Sequence, residues 1–241
     1  MTRHLRHSIP IGAFIGFSCA AIAVFCAEKV TDSNPAWTDT ISLASPQYDG
    51  GLSVAEAIYR RTSVRNFSKK PISFKALSQL LWAAGGKTVD GVSGATRSYP
   101  SAGGLYPLEI YLVCNSVDSI AAGVYRYEWK SHSLAGIKSG EVLDSLKQAT
   151  YSSSLKSTIV PACIVITADY EMTARKYGDR GAQRYVPMDA GGCAQNVYLQ
   201  ARALGIATWP IGAFDDTSVK KVLGIADTEQ VPLCIIPCGK N

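Results

Sequence analysis

The chain has 241 residues, 47% of them hydrophobic and 18% charged, which is enough for one large domain or two small ones with a buried core. Lysine and arginine number 24 against 19 acidic residues, so the formal net charge is +5, but Arg3 and Arg6 lie at the extreme N-terminus. Without these two the charge is 22 − 19 = +3, which is too small to predict a nucleic-acid-binding face, and we expect no nucleic-acid partner.

The first 27 residues have the pattern of an export signal. A basic start precedes the mostly apolar run 9–27, and "AIA" at 21–23 fits a small-x-small cleavage site. The run is also nearly long enough to cross a bilayer, so residues 1–27 are predicted to be a signal peptide or an uncleaved membrane anchor. Either alternative predicts an exported protein, periplasmic or membrane-anchored, that faces away from the cytoplasm.

The elements that follow mix helices and strands without a strict alternation. The polar residues 28–50 predict a linker or arm, and residues 51–241 a single domain. Apolar spacing and capping residues predict helices over 53–61, 73–85, 141–149 and 186–204, and a short helix capped by Asp215-Asp216. Apolar runs predict strands over 108–114, 123–129, 133–137, 162–168 and 231–237. We therefore predict an α+β fold with a central sheet flanked by helices.

The numbers and positions of histidines and cysteines limit the kinds of metal and thiol sites that the chain can form. Outside the leader only His132 remains, and it lies in a predicted hairpin loop, so a site with several histidine ligands to a metal is excluded. The five cysteines beyond the leader lie mostly in apolar runs and are predicted to be buried thiols.

A basic cluster, "RRTSVRNF", occupies residues 60–67, where the first helix ends. Arginine forks and hydroxyl groups together are suited to binding a phosphate. The same octet is also compatible with a solvated basic helix end, where arginines favour the negative end of the helix dipole.

Two glycine-bearing segments favour a ligand site. "PSAGG" (100–104) and "WPIGAF" (209–214) carry little side chain, so a flat ligand can approach their backbone closely. A phosphate-binding cluster and two such segments together match the needs of a phosphorylated flat heterocycle.

Seven stretches between residues 53 and 241 resemble the nitroreductase-like family of FMN-dependent oxidoreductases, most of all its branch of thiazole- and oxazole-forming dehydrogenases. In chain order they are "RRTSVRNF", "LSQLLWAAGG", "YPSAGGLYPLEIYLV", "GVYRYE", "KYGDRGAQRY", "MDAGGCAQNVYLQARALGI" and "IGAFDD". The resemblance implies a nitroreductase-like α+β fold with a mostly antiparallel sheet, and a homodimer with FMN at the subunit interface.

The resemblance also implies which residues contact FMN. Arg61 and Ser63 match residues at the phosphate and ribityl end, Thr62 falls in the same motif, and Arg65 matches a basic residue nearer the pyrimidine side of the ring. Pro100, Ser101 and Gly104 match a loop that reaches the flavin from the partner subunit, and Gly212 and Ala213 match the pair near flavin N5. Common nitroreductases carry glutamate at the Gly212 position and asparagine at the Gly104 position, so those polar contacts are absent here.

Lys176 and Tyr177 resemble the lysine–tyrosine pair proposed as acid/base groups in the azoline dehydrogenases. Oxidation of a ring bond requires a base to take a proton as hydride leaves, and a lysine serves if burial lowers its pKa. The alternative for the pair is a surface charge beside a packing aromatic residue.

The sequence thus predicts an exported FMN-dependent oxidoreductase of unknown small-molecule substrate, with NAD(P)H or another molecule as electron donor. Two alternatives stay open: different FMN chemistry on the same scaffold, such as flavin destruction or dehalogenation, and a flavin-binding module without catalytic activity.

Overall fold

A computed structural model describes residues 40–89 and 96–241. The predicted signal peptide or anchor (1–27) and the first part of the predicted arm (28–39) lie outside the described residues. Within the two described ranges, no helix has both the length and the hydropathy needed to cross a membrane.

One antiparallel sheet of seven strands runs through the described part of the chain, in the order β1-β4-β3-β2-β5-β7-β6. Every pairing between these strands is antiparallel. The strands are Thr40–Ser42 (β1), Leu108–Cys114 (β2), Gly123–Glu128 (β3), Ser133–Ser139 (β4), Ala162–Ala168 (β5), Ile206–Thr208 (β6) and Val231–Lys240 (β7). The inner strand β5, "ACIVITA", is buried along its whole length, as its continuous apolar run predicts.

Helices cover both faces of the sheet. They are Val54–Arg60 (α1), Phe74–Gly85 (α2), Leu143–Ala149 (α3), Ser153–Ser157 (α4), Tyr170–Tyr177 (α5), Val186–Ala203 (α6) and Asp216–Leu223 (α7). A π-helical turn, Gly181–Tyr185, leads directly into α6. The helices α2 and α6 share one apolar core with alternate residues of β2 and β5, while α3, α4 and α7 share the core on the opposite face. The predicted α+β class with a mostly antiparallel sheet is confirmed.

Local capping explains where several helices begin. The side chains of Ser53 and Ser73 accept hydrogen bonds from the amides of Glu56 and Ala76, at 3.1 and 3.3 Å. Asp215 accepts from the Ser218 amide at 2.8 Å and begins α7. The predicted helix start at Asp215 is therefore confirmed.

Part of the segment predicted to be a linker or arm belongs to the sheet. Residues Thr40–Ser42 form β1 and pair with β4, so the polar composition of 28–50 did not reveal this strand. The arm is then held by Gln79, whose side chain bonds both the amide and the carbonyl of Gln47, at 2.8 and 2.9 Å.

A buried arginine closes the long glycine-rich loop between α2 and β2. Arg97 Nε donates to the carbonyl of Gly85 at 2.8 Å, and Nη1 donates to the carbonyl of Leu108 at 2.9 Å. Its guanidinium also lies over the rings of Tyr99 and Trp129. The two ends of the loop are thus tied together, which fixes where residues 100–104 emerge.

The cysteines agree with the sequence prediction. All five that the structure describes are free thiols, and four of them are buried.

Candidate active site

The basic segment after α1 runs in extended conformation beside the end of the sheet. Arg61 ends the helix, and the Val64 amide donates to the carbonyl of Thr208 in β6 at 3.2 Å. Thr62, Ser63 and Arg65 are exposed along this segment. Arg60 points elsewhere, because it pairs with Glu56 on the same helix at 2.7 Å.

A buried tyrosine of α6 organises two of the predicted phosphate ligands. The Ser63 hydroxyl lies 2.6 Å from the Tyr198 hydroxyl, and the Arg61 guanidinium carbon lies 5.0 Å from the centroid of the Tyr198 ring. Tyr198 is only 8% exposed. The cation–π contact holds Arg61 against the Tyr198 ring, and the hydroxyl contact holds Ser63 at the end of the same side chain. Tyr198 therefore keeps Arg61 and Ser63 side by side.

A small cavity of about 50 Å³ opens beside this group. Its lining includes Thr62, Tyr198, Arg202, Thr208 and Asn241. Arg202 Nε is buried and has no hydrogen-bond partner among the described residues. An unpaired buried donor costs free energy, and the Arg202 guanidinium belongs to the lining of the cavity, where it is a charged partner for an anion. The residues present therefore fit a phosphate group.

Sequence reasoning missed Tyr198 and Arg202. They lie four positions apart on the predicted helix 186–204, so they share a face. That spacing was the available signal, but nothing in the sequence alone relates this face to residues 61–65.

Gly212 and Ala213 are exposed on the segment that follows β6. A Cβ atom added at Gly212 would meet nothing within 4 Å, so a flat ring has access to the backbone there. The Ala213 carbonyl accepts from the Tyr151 amide at 2.9 Å, and the Arg65 carbonyl accepts from the Thr158 hydroxyl at 2.9 Å. Residues 151–158 thus link the Ala213 and Arg65 parts of the predicted site.

The second glycine segment forms a tight turn. Ala102–Gly104 is a single 3₁₀ turn in which Gly103 and Gly104 have φ of +63° and +66°. Ser101 anchors the turn: its hydroxyl donates to Asp189 of α6 at 2.5 Å and accepts from the Tyr106 amide at 2.9 Å. Pro100 is exposed and precedes this anchor.

Lys176 and Tyr177 lie directly against this turn. A Cβ atom added at Gly103 would be 2.5 Å from the Tyr177 hydroxyl and 2.7 Å from Lys176 Nζ. Tyr177 also packs edge-to-face on Tyr185, with ring centroids 5.2 Å apart. The predicted acid/base pair and the predicted flavin loop therefore form one group, although the single chain leaves Lys176 exposed.

The predicted site residues fall into two separate groups within one chain. We call residues 61–65 with Tyr198 and Arg202 the anion group, and residues 100–104 with Lys176, Tyr177 and Asp189 the loop group. Asp189 and Arg202 are 13 residues apart on α6, which corresponds to roughly 20 Å along the helix axis. The structure therefore places the two groups near opposite ends of α6.

The sheet shows the same separation. The loop group lies at the end of the sheet where Ala168 of β5 pairs with Val231 of β7. At the same end the Asp169 amide donates to the Pro107 carbonyl, just before β2 begins. The anion group lies where Thr208 of β6 pairs with Cys238 of β7. Cys238 is seven residues beyond Val231 on β7, which corresponds to roughly 23 Å along the strand.

Comparison with known proteins identifies the family. The model of the nitroreductase family matches residues 58–240, about three quarters of the chain. The chain belongs to the nitroreductase family. The predicted resemblance to this family is therefore confirmed. As a member of the family, the chain is of the oxidoreductase type.

Relatives of known sequence support the same assignment. A protein of Methanocaldococcus jannaschii that is named as a nitroreductase is 37% identical over 203 residues, which are 84% of this chain and 98% of that protein. The microcin B17-processing protein McbC of Escherichia coli is 25% identical over 171 residues, 69% of this chain and 62% of McbC. The chain thus spans less than two thirds of McbC. The predicted similarity to the dehydrogenase-like branch is confirmed.

Solved structures confirm the fold. A nitroreductase-like protein of Ralstonia eutropha superposes with a TM-score of 0.70 at 23% identity, over 83% of this chain and 89% of that one. A chain of the E. coli microcin synthetase McbBCD complex superposes with a TM-score of 0.64 at 23% identity, over 93% and 84%. The predicted nitroreductase-like fold is therefore present in this chain.

Proposed function

We propose that this chain is an FMN-dependent oxidoreductase in which hydride passes to or from flavin N5. The observation that carries the proposal is the cavity at the anion group, which Thr62, Tyr198 and Arg202 line, together with the Arg202 Nε donor that has no partner among the described residues. Arginine and hydroxyl donors of this kind suit the phosphate of FMN.

The residues that would hold FMN divide by chemistry. Arg61, Thr62, Ser63 and Arg202 would bind the phosphate and ribityl end. Arg65, Gly212 and Ala213 would lie along the ring, where a cation near the pyrimidine stabilises the reduced, anionic form. When bound, FMN supplies a two-electron carrier, and the chain's own residues bind it, orient it and exclude water from it.

We propose further that the protein acts as a homodimer. The loop group and the anion group lie near opposite ends of α6, and the family resemblance implies that the loop completes the flavin site of a partner subunit. A second copy brings its Pro100, Ser101 and Gly104 to the flavin held by the first.

In this proposal Lys176 and Tyr177 move the substrate proton. Their contact with Gly103 puts them beside the loop that reaches the flavin, so they would face the substrate atom that loses or gains hydride. General acid–base groups of this kind typically contribute about 10²–10⁴-fold to the rate. A flavin-storage module has no use for such a pair, which favours an enzyme over the non-catalytic alternative.

The proposal is tested by titrating the FMN-loaded protein anaerobically with NADH, NADPH and dithionite, and then with menadione or nitrofurazone as oxidant. An enzyme is reduced by at least one nicotinamide and reoxidised by an added acceptor. A module binds FMN but is reduced only by dithionite.

A matched pair of variants tests the binding residues. Arg61→Ala is expected to weaken FMN at least about tenfold, since hydrogen bonds to charged groups contribute about 1.5–3 kcal/mol. Arg60→Ala removes the neighbouring guanidinium, which is paired with Glu56, and should leave the affinity unchanged. If the two variants weaken FMN binding equally, the basic cluster at 60–67 is only a solvated helix end and not a phosphate site.

A further inference from the structure

Asp189 is a buried carboxylate with no cation to neutralise it. It lies in the first turn of α6 at 5% exposure, and no ion pair of the described residues includes it. Burial raises the pKa of Asp189, and the hydrogen bonds from Ser101 and Ala102 oppose that rise. A buried charge held only by hydrogen bonds costs stability, so a role other than stability would explain its presence at this position.

The groups that oppose the rise in the pKa of Asp189 both lie in the 101–104 turn. The Ser101 hydroxyl donates to Oδ2 at 2.5 Å, and the Ala102 amide lies close enough to lower the pKa of the same carboxylate. A carboxylate can only accept hydrogen bonds, so the Ser101 hydroxyl proton points toward Asp189. The Ser101 oxygen is then free to accept from the Tyr106 amide at 2.9 Å. The bond from Ser101 to Asp189 of α6 and the bond from the Tyr106 amide to Ser101 therefore close residues 101–106.

The closed turn is what Lys176 and Tyr177 touch. Gly103 sits at φ +63° immediately after the two residues that Asp189 holds, and its missing side chain leaves the space that the Tyr177 hydroxyl and Lys176 Nζ occupy. A shift of the turn would therefore move the backbone surface that Lys176 and Tyr177 contact. Asp189 itself touches neither of them.

We propose that Asp189 is a positioning residue, which locks the 101–104 turn so that it presents its backbone to the flavin and supports Lys176 and Tyr177. The effect on the cofactor rests on the proposed function, whereas the effect on the turn does not. An asparagine at this position is a weaker replacement, because its neutral amide oxygen accepts from the Ser101 hydroxyl less strongly than a charged carboxylate does.

The test compares wild type with Asp189→Asn, Ser101→Ala and the double variant. Asp144→Asn is the control, since it removes an exposed carboxylate that pairs only with Lys147 at 3.3 Å. Hydrogen exchange of residues 101–106 is measured in the FMN-free chain, with melting temperature and FMN affinity measured in parallel.

Asp189→Asn should accelerate exchange of residues 101–106 about tenfold while exchange in β5 and the melting temperature at neutral pH stay unchanged or rise slightly. FMN should bind about 3–10-fold more weakly to either single variant, and the double variant should lose no more affinity than Ser101→Ala, because Asp189 acts on the turn through its hydrogen bond to Ser101. A purely structural residue would instead lower the melting temperature and leave FMN affinity alone.

Unchanged exchange in the turn of Asp189→Asn would overturn the inference. So would additive losses of FMN affinity in the double variant. If wild type binds no FMN, the proposed function fails, and the exchange measurement alone still decides whether Asp189 locks the turn.

Discussion

At the scale of single residues, the anion group and the loop group each depend on side chains that are far apart in sequence. Tyr198 meets Ser63 across 135 positions, and Asp189 meets Ser101 across 88. The sequence displayed Arg61, Ser63 and Ser101 in recognisable motifs, but the roles of Tyr198, Arg202 and Asp189 arise only once α6 brings them to these partners. Long-range partners of this kind cannot be read from helical spacing.

Arg202 gives a prediction in which stability and binding change in opposite directions. Its buried Nε lacks a partner among the described residues, so Arg202→Met should leave the melting temperature of the FMN-free protein unchanged or raise it. FMN affinity should fall at least about tenfold, because a charged donor is lost. Calorimetry and fluorescence titration measure both quantities. Arg175→Met, which removes an exposed arginine paired with Glu171, is the control.

The neighbouring glycines of the turn allow a second prediction. Gly103 and Gly104 have nearly the same positive φ, so an alanine at either position is strained to a similar extent, about 1 kcal/mol. Only the Gly103 methyl group would collide with Lys176 and Tyr177, whereas the Gly104 methyl group meets open space. Gly103→Ala should therefore displace the pair and Gly104→Ala should not.

Acetylation of Lys176, followed by peptide mass spectrometry, measures this displacement. We expect the rate to change severalfold in Gly103→Ala and to match wild type in Gly104→Ala. Equal rates in all three proteins would show that the turn does not place the pair.

At the scale of elements, His132 joins the first strand to the rest of the sheet. Its Nε2–H donates to the Ala44 carbonyl at 2.9 Å, and Nδ1 accepts from the Tyr127 hydroxyl at 2.7 Å, since a carbonyl can only accept. The residue predicted to be a simple surface loop histidine is thus half-buried and fastens the arm that follows β1. The Leu43 amide adds a bond to the His132 carbonyl at 3.1 Å.

This contact predicts a pH dependence of stability. Burial lowers the pKa of His132 below its usual value, despite the opposing hydrogen bond to Ala44. Because the folded-state pKa is the lower one, the stabilisation is complete above the unfolded pKa of about 6.5 and is lost as the pH falls through the folded-state pKa. The melting temperature should therefore fall between pH 7.5 and 5.5.

His132→Asn is the matched variant, because asparagine tolerates the φ of +49° at this position and does not titrate. Its melting temperature should be lower at pH 7.5 and nearly independent of pH over this range. If its pH dependence equals that of wild type, His132 is not the responsible group.

The elements that the sequence revealed are those with local signals. Ser53, Ser73 and Asp215 cap their helices through bonds to amides three residues away, so motif and structure agree. The strands β1 and β6 have three residues each and exist only through pairing with β4 and β7, which no local pattern encodes. The helix α5 was missed because it buries only Thr173 and so carries almost no apolar periodicity.

At the scale of the whole molecule, the two groups of predicted site residues lie apart within one chain. The anion group and the loop group are separated by most of α6 and by most of β7. Through family resemblance the sequence predicted the motif residues of both groups and their union across a dimer, whereas Tyr198, Arg202, Asp189 and the distance between the groups follow only from the fold. The predicted export of the chain concerns residues outside the described part and stays a prediction, which fractionation of cells expressing the full chain would check.

Mixed dimers of two defective variants test the composite site most directly. Arg61→Ala removes a ligand of the anion group, and Gly104→Trp fills the open space in front of the loop. Each variant alone should bind FMN poorly. Co-expression with two different affinity tags and tandem purification isolates the mixed dimer, whose FMN content is then measured by absorbance and equilibrium titration.

If the two groups meet across the dimer, the mixed dimer contains one site made from the two intact halves and one site with both defects. It should therefore bind one FMN per dimer with wild-type affinity, where wild type binds two. If each chain builds its own site, both sites of the mixed dimer carry a defect. A mixed dimer that binds no FMN at wild-type affinity, beside a wild-type dimer that binds two, would contradict the composite flavin site.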